Sequence, residues 1–129
     1  MSYKIYTADQ LREITEPNVE AKLFRSDSER FWVNMANKDH SESMKSEMHD
    51  DEADIYVVLE GEGELYIGGA MIDSTSPKPG QHRGSGLEGA TRHHMSAGDL
   101  IIIPEGVPHM VDTRNSSMVY LVIKQDVVR

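Results

Sequence analysis

The stretch Gly98-Asp99-Leu100-Ile101-Ile102-Ile103-Pro104-Glu105-Gly106-Val107-Pro108-His109 admits few conformations. Gly98-Asp99 is a turn dipeptide. Leu100 to Ile103 is continuously apolar and reads as a buried strand. Pro104 lacks the backbone donor a ladder needs and stops it. Glu105 to Pro108 then form a tight turn, and His109 to Asp112 resume an extended run. Short strands broken by glycine and proline recur along the chain, and they point to an all-β barrel or sandwich.

Helical periodicity is confined to the N-terminus. Thr7-Ala8-Asp9-Gln10 has the form of a capping box, with a hydroxyl at the cap and Gln three residues on. Leu11 and Ile14 follow at helical spacing, so a short helix is predicted over Ala8 to Ile14, ended by Pro17. From Val19 the period becomes two. Strands are predicted from Val19 and over Phe31 to Ala36, separated by a turn at Ser26-Asp27-Ser28-Glu29. Ser43 to His49 alternates weakly, with Met44 and Met48 on one side and Lys45, Glu47 and His49 on the other. Asp54 to Leu59 is a strand, Gly61-Glu62-Gly63 a turn, and Glu64 to Gly69 its partner. Asp73 to Gly89, rich in Gly and Pro, is expected to be an irregular lid or surface insertion. Thr91 to Met95 and Met118 to Lys124 complete the set, with a tail over Asp126 to Arg129.

Composition narrows the class. At 129 residues the chain makes one domain, with a helix and edge strand over 1–30 and a barrel core over 31–124. No apolar run approaches the roughly 18 residues of a membrane span, and Met1 to Gln10 lack the apolar core of a signal peptide. No cysteine is present, which removes disulfides and thiolate ligands and fits a cytoplasmic location. A formal charge of −9, with no stripe of Lys or Arg, argues against nucleic acid and anionic membranes as partners.

Two separated stretches carry metal-capable side chains at strand edges. Glu47 and His49 lie two apart, so on a strand both aim at one point. Asp54 opens the next strand after a four-residue corner, which lets that strand return beside the first. His109 follows directly on the Gly106-Val107-Pro108 turn. Two imidazoles with one or two carboxylates suit a divalent ion: Fe(II), Mn(II), Ni(II) or Zn(II).

The spacing of these stretches resembles the two signature motifs of the cupin superfamily. The first motif is His-x-His, three or four residues, Glu, six residues, Gly. Here it reads Glu47-x-His49, four residues, Asp54, six residues, Gly61. The second is Gly, five residues, Pro-x-Gly, two residues, His, three residues, Asn. Here it reads Gly98, five residues, Pro104-x-Gly106, two residues, His109, three residues, Thr113. The second is nearly intact; the first keeps its spacing but changes two ligand types. The resemblance covers about Phe31 to Lys124. It implies a double-stranded β-helix, or jelly-roll, barrel binding one divalent metal, often as a homodimer. It implies His49 and His109 as ligands, with Glu47 at the position of a histidine and Asp54 at that of the glutamate. The substitutions make the site more acidic and favour a hard ion.

Further candidates lie nearby. Tyr56 and Val58 share the face of Asp54, and Tyr120 on the last strand is placed toward the same pocket. Met35, Met110 and Met118 suggest an apolar wall. His93-His94 lies on the strand leading to Gly98, and one of the two is expected to face inward. Tyr56 and His94 are the candidates for proton transfer. The function implied is that of a metal-dependent cupin acting on a small organic molecule, by dioxygenase, isomerase, lyase or cyclase chemistry. The alternative is a non-catalytic module binding a metabolite or a metal.

Overall fold

The computed structural model describes residues 3–14, 16–25 and 30–127. The turn expected over Ser26 to Glu29, and the end of the tail, fall outside them. The capping box forms as its chemistry predicts: the Gln10 backbone N–H donates to the Thr7 hydroxyl, and the Thr7 N–H donates to the Gln10 side chain. It starts the helix α1 (Ala8–Glu13), none of whose residues is fully buried.

Twelve strands follow among the described residues: β1 (Glu20–Arg25), β2 (Phe31–Asp39), β3 (Ser46–His49), β4 (Glu52–Ile67), β5 (Ala70–Ile72), β6 (Thr75–Lys78), β7 (Gln81–Gly84), β8 (Gly86–Glu88), β9 (Thr91–Ser96), β10 (Leu100–Ile103), β11 (His109–Asp112) and β12 (Ser117–Asp126). Ten form one sheet in the order β1-β2-β12-β4-β11-β3-β7-β6, with β9 and β10 also paired to β4, and β5 pairs separately with β8. Among the described residues these pairings are all antiparallel.

The organising element is β4. Its first half pairs with β12 and β10, and its second half with β11 and β9. The turn expected at Gly61-Glu62-Gly63 is therefore corrected to a passage where one continuous strand crosses between the two halves of the barrel. Glycine chemistry still explains it. Gly61 has φ +74°, and a Cβ there would meet the Ser117 carbonyl oxygen at 2.0 Å. Beside it, the β12 register slips by a bulge between Val119 and Tyr120.

Alternation on β4 and β12 builds the interior. Tyr56, Val58, Leu65, Met118, Tyr120 and Val122 face one another there, with Ala36, Met95 and Ile103. Met35 and Met110 are buried as well. Two other expectations change. The run Leu100 to Ile103 is not buried throughout: Ile103 is, but Leu100 and Ile102 are 62% and 61% exposed. Successive side chains of β10 point to opposite faces of the sheet and only one face meets the core, so alternate residues point outward whatever their hydropathy. Asp73 to Gly89 is not irregular, since β6, β7 and β8 lie within it. β7 adds to β3, and Pro77 sits on β6 at the end of the sheet, where a missing donor costs no ladder bond. Among the described residues, no helix is long and apolar enough to cross a membrane.

Candidate metal centre

Three strands bring four donors to one point. Register pairs His109 on β11 with Glu47 on β3. His49 lies two residues along β3 on the same face, and Asp54 enters from β4. One donor atom from each of Glu47, His49, Asp54 and His109 lies within 4.8 Å of all the others. His49 Nε2 is 3.2 Å from Asp54 Oδ2 and 3.3 Å from Glu47 Oε2. His109 Nε2 is 3.3 Å from Asp54 Oδ2 and 3.7 Å from Glu47 Oε2. His49, Asp54 and His109 are 3%, 1% and 2% exposed. The shorter aspartate side chain thus reaches the same point as the histidines.

The outer atoms of these groups are already engaged, which aims the inner ones. His49 Nδ1 stands 2.6 Å from Gln81 Oε1. His109 Nδ1 donates to the Val107 carbonyl at 3.0 Å. As that carbonyl can only accept, His109 Nδ1 carries a proton and Nε2 is the ring atom turned toward the other donors. Lys124 Nζ donates to Asp54 Oδ1 at 3.0 Å, leaving Oδ2. Glu47 Oε1 faces Arg83 Nε at 3.9 Å. What remains is His49 Nε2, Asp54 Oδ2 and His109 Nε2, all buried and none in a well-aligned hydrogen bond. Unpaired buried polar atoms are costly, and an ion at the point they share would satisfy all three. Donors about 2.0–2.2 Å from an ion lie roughly 3 Å apart, close to the spacings seen. The set of two imidazoles and two carboxylates fits a divalent ion of the iron, manganese, nickel or zinc kind.

Electrostatics agree. Burial opposes ionisation of Glu47, but contact with His49 and the positive fields of Arg83 and His109 prevail, and its pKa falls to about 2. Burial likewise opposes a charge on His49, yet the Asp54 and Glu47 carboxylates prevail and raise it to about 9. For Asp54, burial is overcome by His109, His49 and Lys124, which hold the carboxyl far below its usual range. Without a metal, the two carboxylates retain a proton on imidazole; a cation would take its place.

A cavity of about 140 Å³ opens beside Glu47 and His109, lined also by Tyr56, Tyr120, Met110, Arg83, Lys38 and Lys45. Tyr56 packs edge-on to both His109 and Tyr120, with ring centroids 6.4 and 5.1 Å away. Burial, and then the nearby Tyr120 and acidic groups, push its phenol well above the ordinary value. It is a neutral O–H donor. The structure does not bring His94 here. Both His93 and His94 are exposed on β9, whose buried residue is Met95, so the expected inward histidine is corrected. His94 Nδ1 instead lies 2.8 Å from Glu64 across the β4–β9 pair. Gln81 and Lys124 escaped the sequence reading. Each meets its partner only through strand pairing, and neither belongs to a ligand motif.

By sequence, no family model and no curated protein matches the chain. By structure, an uncharacterized conserved protein with a double-stranded β-helix domain from Klebsiella pneumoniae superposes with a TM-score of 0.68 at 15% identity, over 97% of this chain and 91% of that one. A cupin-2 domain containing protein from Shewanella frigidimarina gives 0.57 at 15% identity, over 94% and 93%. Pac13 from Streptomyces, a nucleoside dehydratase, gives 0.56 at 12% identity, over 85% and 70%. With the strand order described above, these likenesses establish that the chain has the cupin fold, a double-stranded β-helix barrel with a short N-terminal helix.

Proposed function

We propose that this protein is a metal-dependent cupin enzyme acting on a small organic molecule, and that it works as a homodimer. The observation that carries the metal is the convergence of three buried, unaligned donor atoms, His49 Nε2, Asp54 Oδ2 and His109 Nε2, with Glu47 completing the set. A divalent ion bound there would supply Lewis acidity to a substrate oxygen. The chain's own residues would do the rest. Gln81 and Val107 fix the two imidazoles, and Lys124 orients Asp54. Tyr56, neutral and lining the cavity, would donate a hydrogen bond or a proton to the bound molecule. Tyr120 and Met110 would shield that step from water. The enzymatic reading is favoured over a purely binding module by this buried phenol, which lines the cavity beside the ligands. The nucleoside dehydratase among the structural neighbours shows that the barrel can host a lyase.

The test is metal content. Protein purified without chelator should carry about one divalent ion per chain. His109→Ala should lose the ion while keeping its far-ultraviolet circular dichroism. Absence of metal from the wild type, with no rise in melting temperature on adding Fe(II), Mn(II), Ni(II) or Zn(II), would overturn the proposal. Tyr56→Phe should keep the metal and, once a substrate is found, lower kcat by about 10²-fold or more.

A further inference from the structure

The cavity beside the metal donors has a charge opposite to that of the molecule. The chain carries 22 acidic residues against 13 Lys and Arg. Yet three cations, Lys38, Lys45 and Arg83, line this cavity, with the hydroxyls of Ser41, Ser43 and Thr113. Its one acidic lining residue is Glu47, which belongs to the metal set. Lys38 is placed by register. It pairs with Met118, a residue of the interior, and so stands on the inner face of β2. Arg83 sits opposite Glu47 in the β3–β7 pair. In a chain so rich in carboxylates, cations usually find partners. No ion pair joins Lys38 or Lys45 to another described residue, and Arg83 comes no nearer than 3.9 Å to Glu47.

Ammonium and guanidinium side chains lining one small, partly enclosed cavity, together with hydroxyl-bearing residues, recognise an anion. Two of the metal donors, Glu47 and His109, line the same cavity. We infer that the substrate is a small carboxylate, whose acid group is held by Lys38, Lys45 and Arg83 while another of its oxygens faces the ion. The cavity volume favours a compact acid over a larger anion such as a nucleotide. This deepens the proposed function and rests on it for the metal-facing oxygen alone. The anion contacts stand without the ion.

The experiment uses the full chain with and without Mn(II), titrated calorimetrically with lactate and tartrate, each against its neutral amide. The acids should bind at least about tenfold more tightly than the amides. Lys38→Gln and Lys45→Gln should each erase most of that preference while leaving Mn(II) stoichiometry unchanged, because neither lysine touches a metal donor. Equal binding of acid and amide in both forms, or a preference that survives when Lys38→Gln and Lys45→Gln are combined, would overturn the inference. Inorganic phosphate, run alongside, overturns the carboxylate assignment if it binds more tightly than tartrate. Failure of Mn(II) to bind bears on the metal alone and leaves this inference standing, since the acid preference is also read in the metal-free protein.

Discussion

Asp54 stands between opposite demands. It is almost wholly buried, which favours its neutral form, yet its two oxygens face Lys124 on one side and two imidazoles on the other. Lys124→Met would keep the apolar stem and remove the ammonium, so Oδ1 would lose its donor. The metal-free protein should lose about 1–3 kcal/mol in urea unfolding, and a bound divalent ion should recover part of it by compensating the carboxylate. His49 gives a pH prediction. Its folded pKa is raised to about 9 from the ordinary 6.5. The stability it contributes to the metal-free protein is therefore complete below pH 6.5 and is lost as pH rises through about 9. Glu47 works in the other direction: its lowered pKa stabilises above pH 4.5 and the gain disappears toward pH 2. Melting temperatures of chelator-treated protein should accordingly decline between pH 7 and 9.5. Protein saturated with metal should resist that decline, because the ion replaces the proton.

At the scale of elements, β4 decides the architecture, and Gly61 decides β4. Gly61→Ala would place a methyl group against the Ser117 carbonyl in a backbone conformation that L residues avoid. Its cost should be at least about 2 kcal/mol in chemical denaturation, whereas Gly98→Ala, with open space around it, would bear only the strain of its φ. The same strand shows what was legible in the sequence. Two-apart spacing placed Glu47 beside His49, and alternation placed Tyr56 and Val58 with Asp54, because side-chain direction on a strand is a local property. The Gly61-Glu62-Gly63 passage was read as a hairpin turn, since turn and crossover demand the same residues. Which one forms depends on β12 lying alongside, far away in sequence. Gln81 and Lys124 were unreadable for that reason too: one is 32 residues from His49 and the other 70 from Asp54. The strands β6 to β8 were hidden in a polar, Pro- and Gly-rich segment whose order comes from pairing with β3.

For the whole molecule, the outward side of the sheet formed by β1, β2, β12, β4 and β10 supports the proposed homodimer. Leu100 and Ile102 are more than half exposed there, and register sets them beside Val57 and Ile55. β1 ends the sheet order and leaves an edge. Light scattering should give twice the chain mass, and Leu100→Asp with Ile102→Asp should weaken association by about tenfold or more while sparing the metal site. A monomer mass in the wild type would exclude that assembly.

The continuous β4, fastened to four other strands, also has a kinetic meaning. Its four neighbours all lie in the last third of the chain, between Thr91 and Asp126, so the barrel cannot close before most of the polypeptide has been searched. Such topologies fold on the scale of milliseconds to seconds. His49 and His109 meet only when β3 and β11 pair, across a long stretch of intervening chain. An ion that needs both cannot speed the journey; it can only bar the return. Stopped-flow measurements should therefore find metal leaving the folding rate nearly unchanged and slowing unfolding by the full stabilisation it confers.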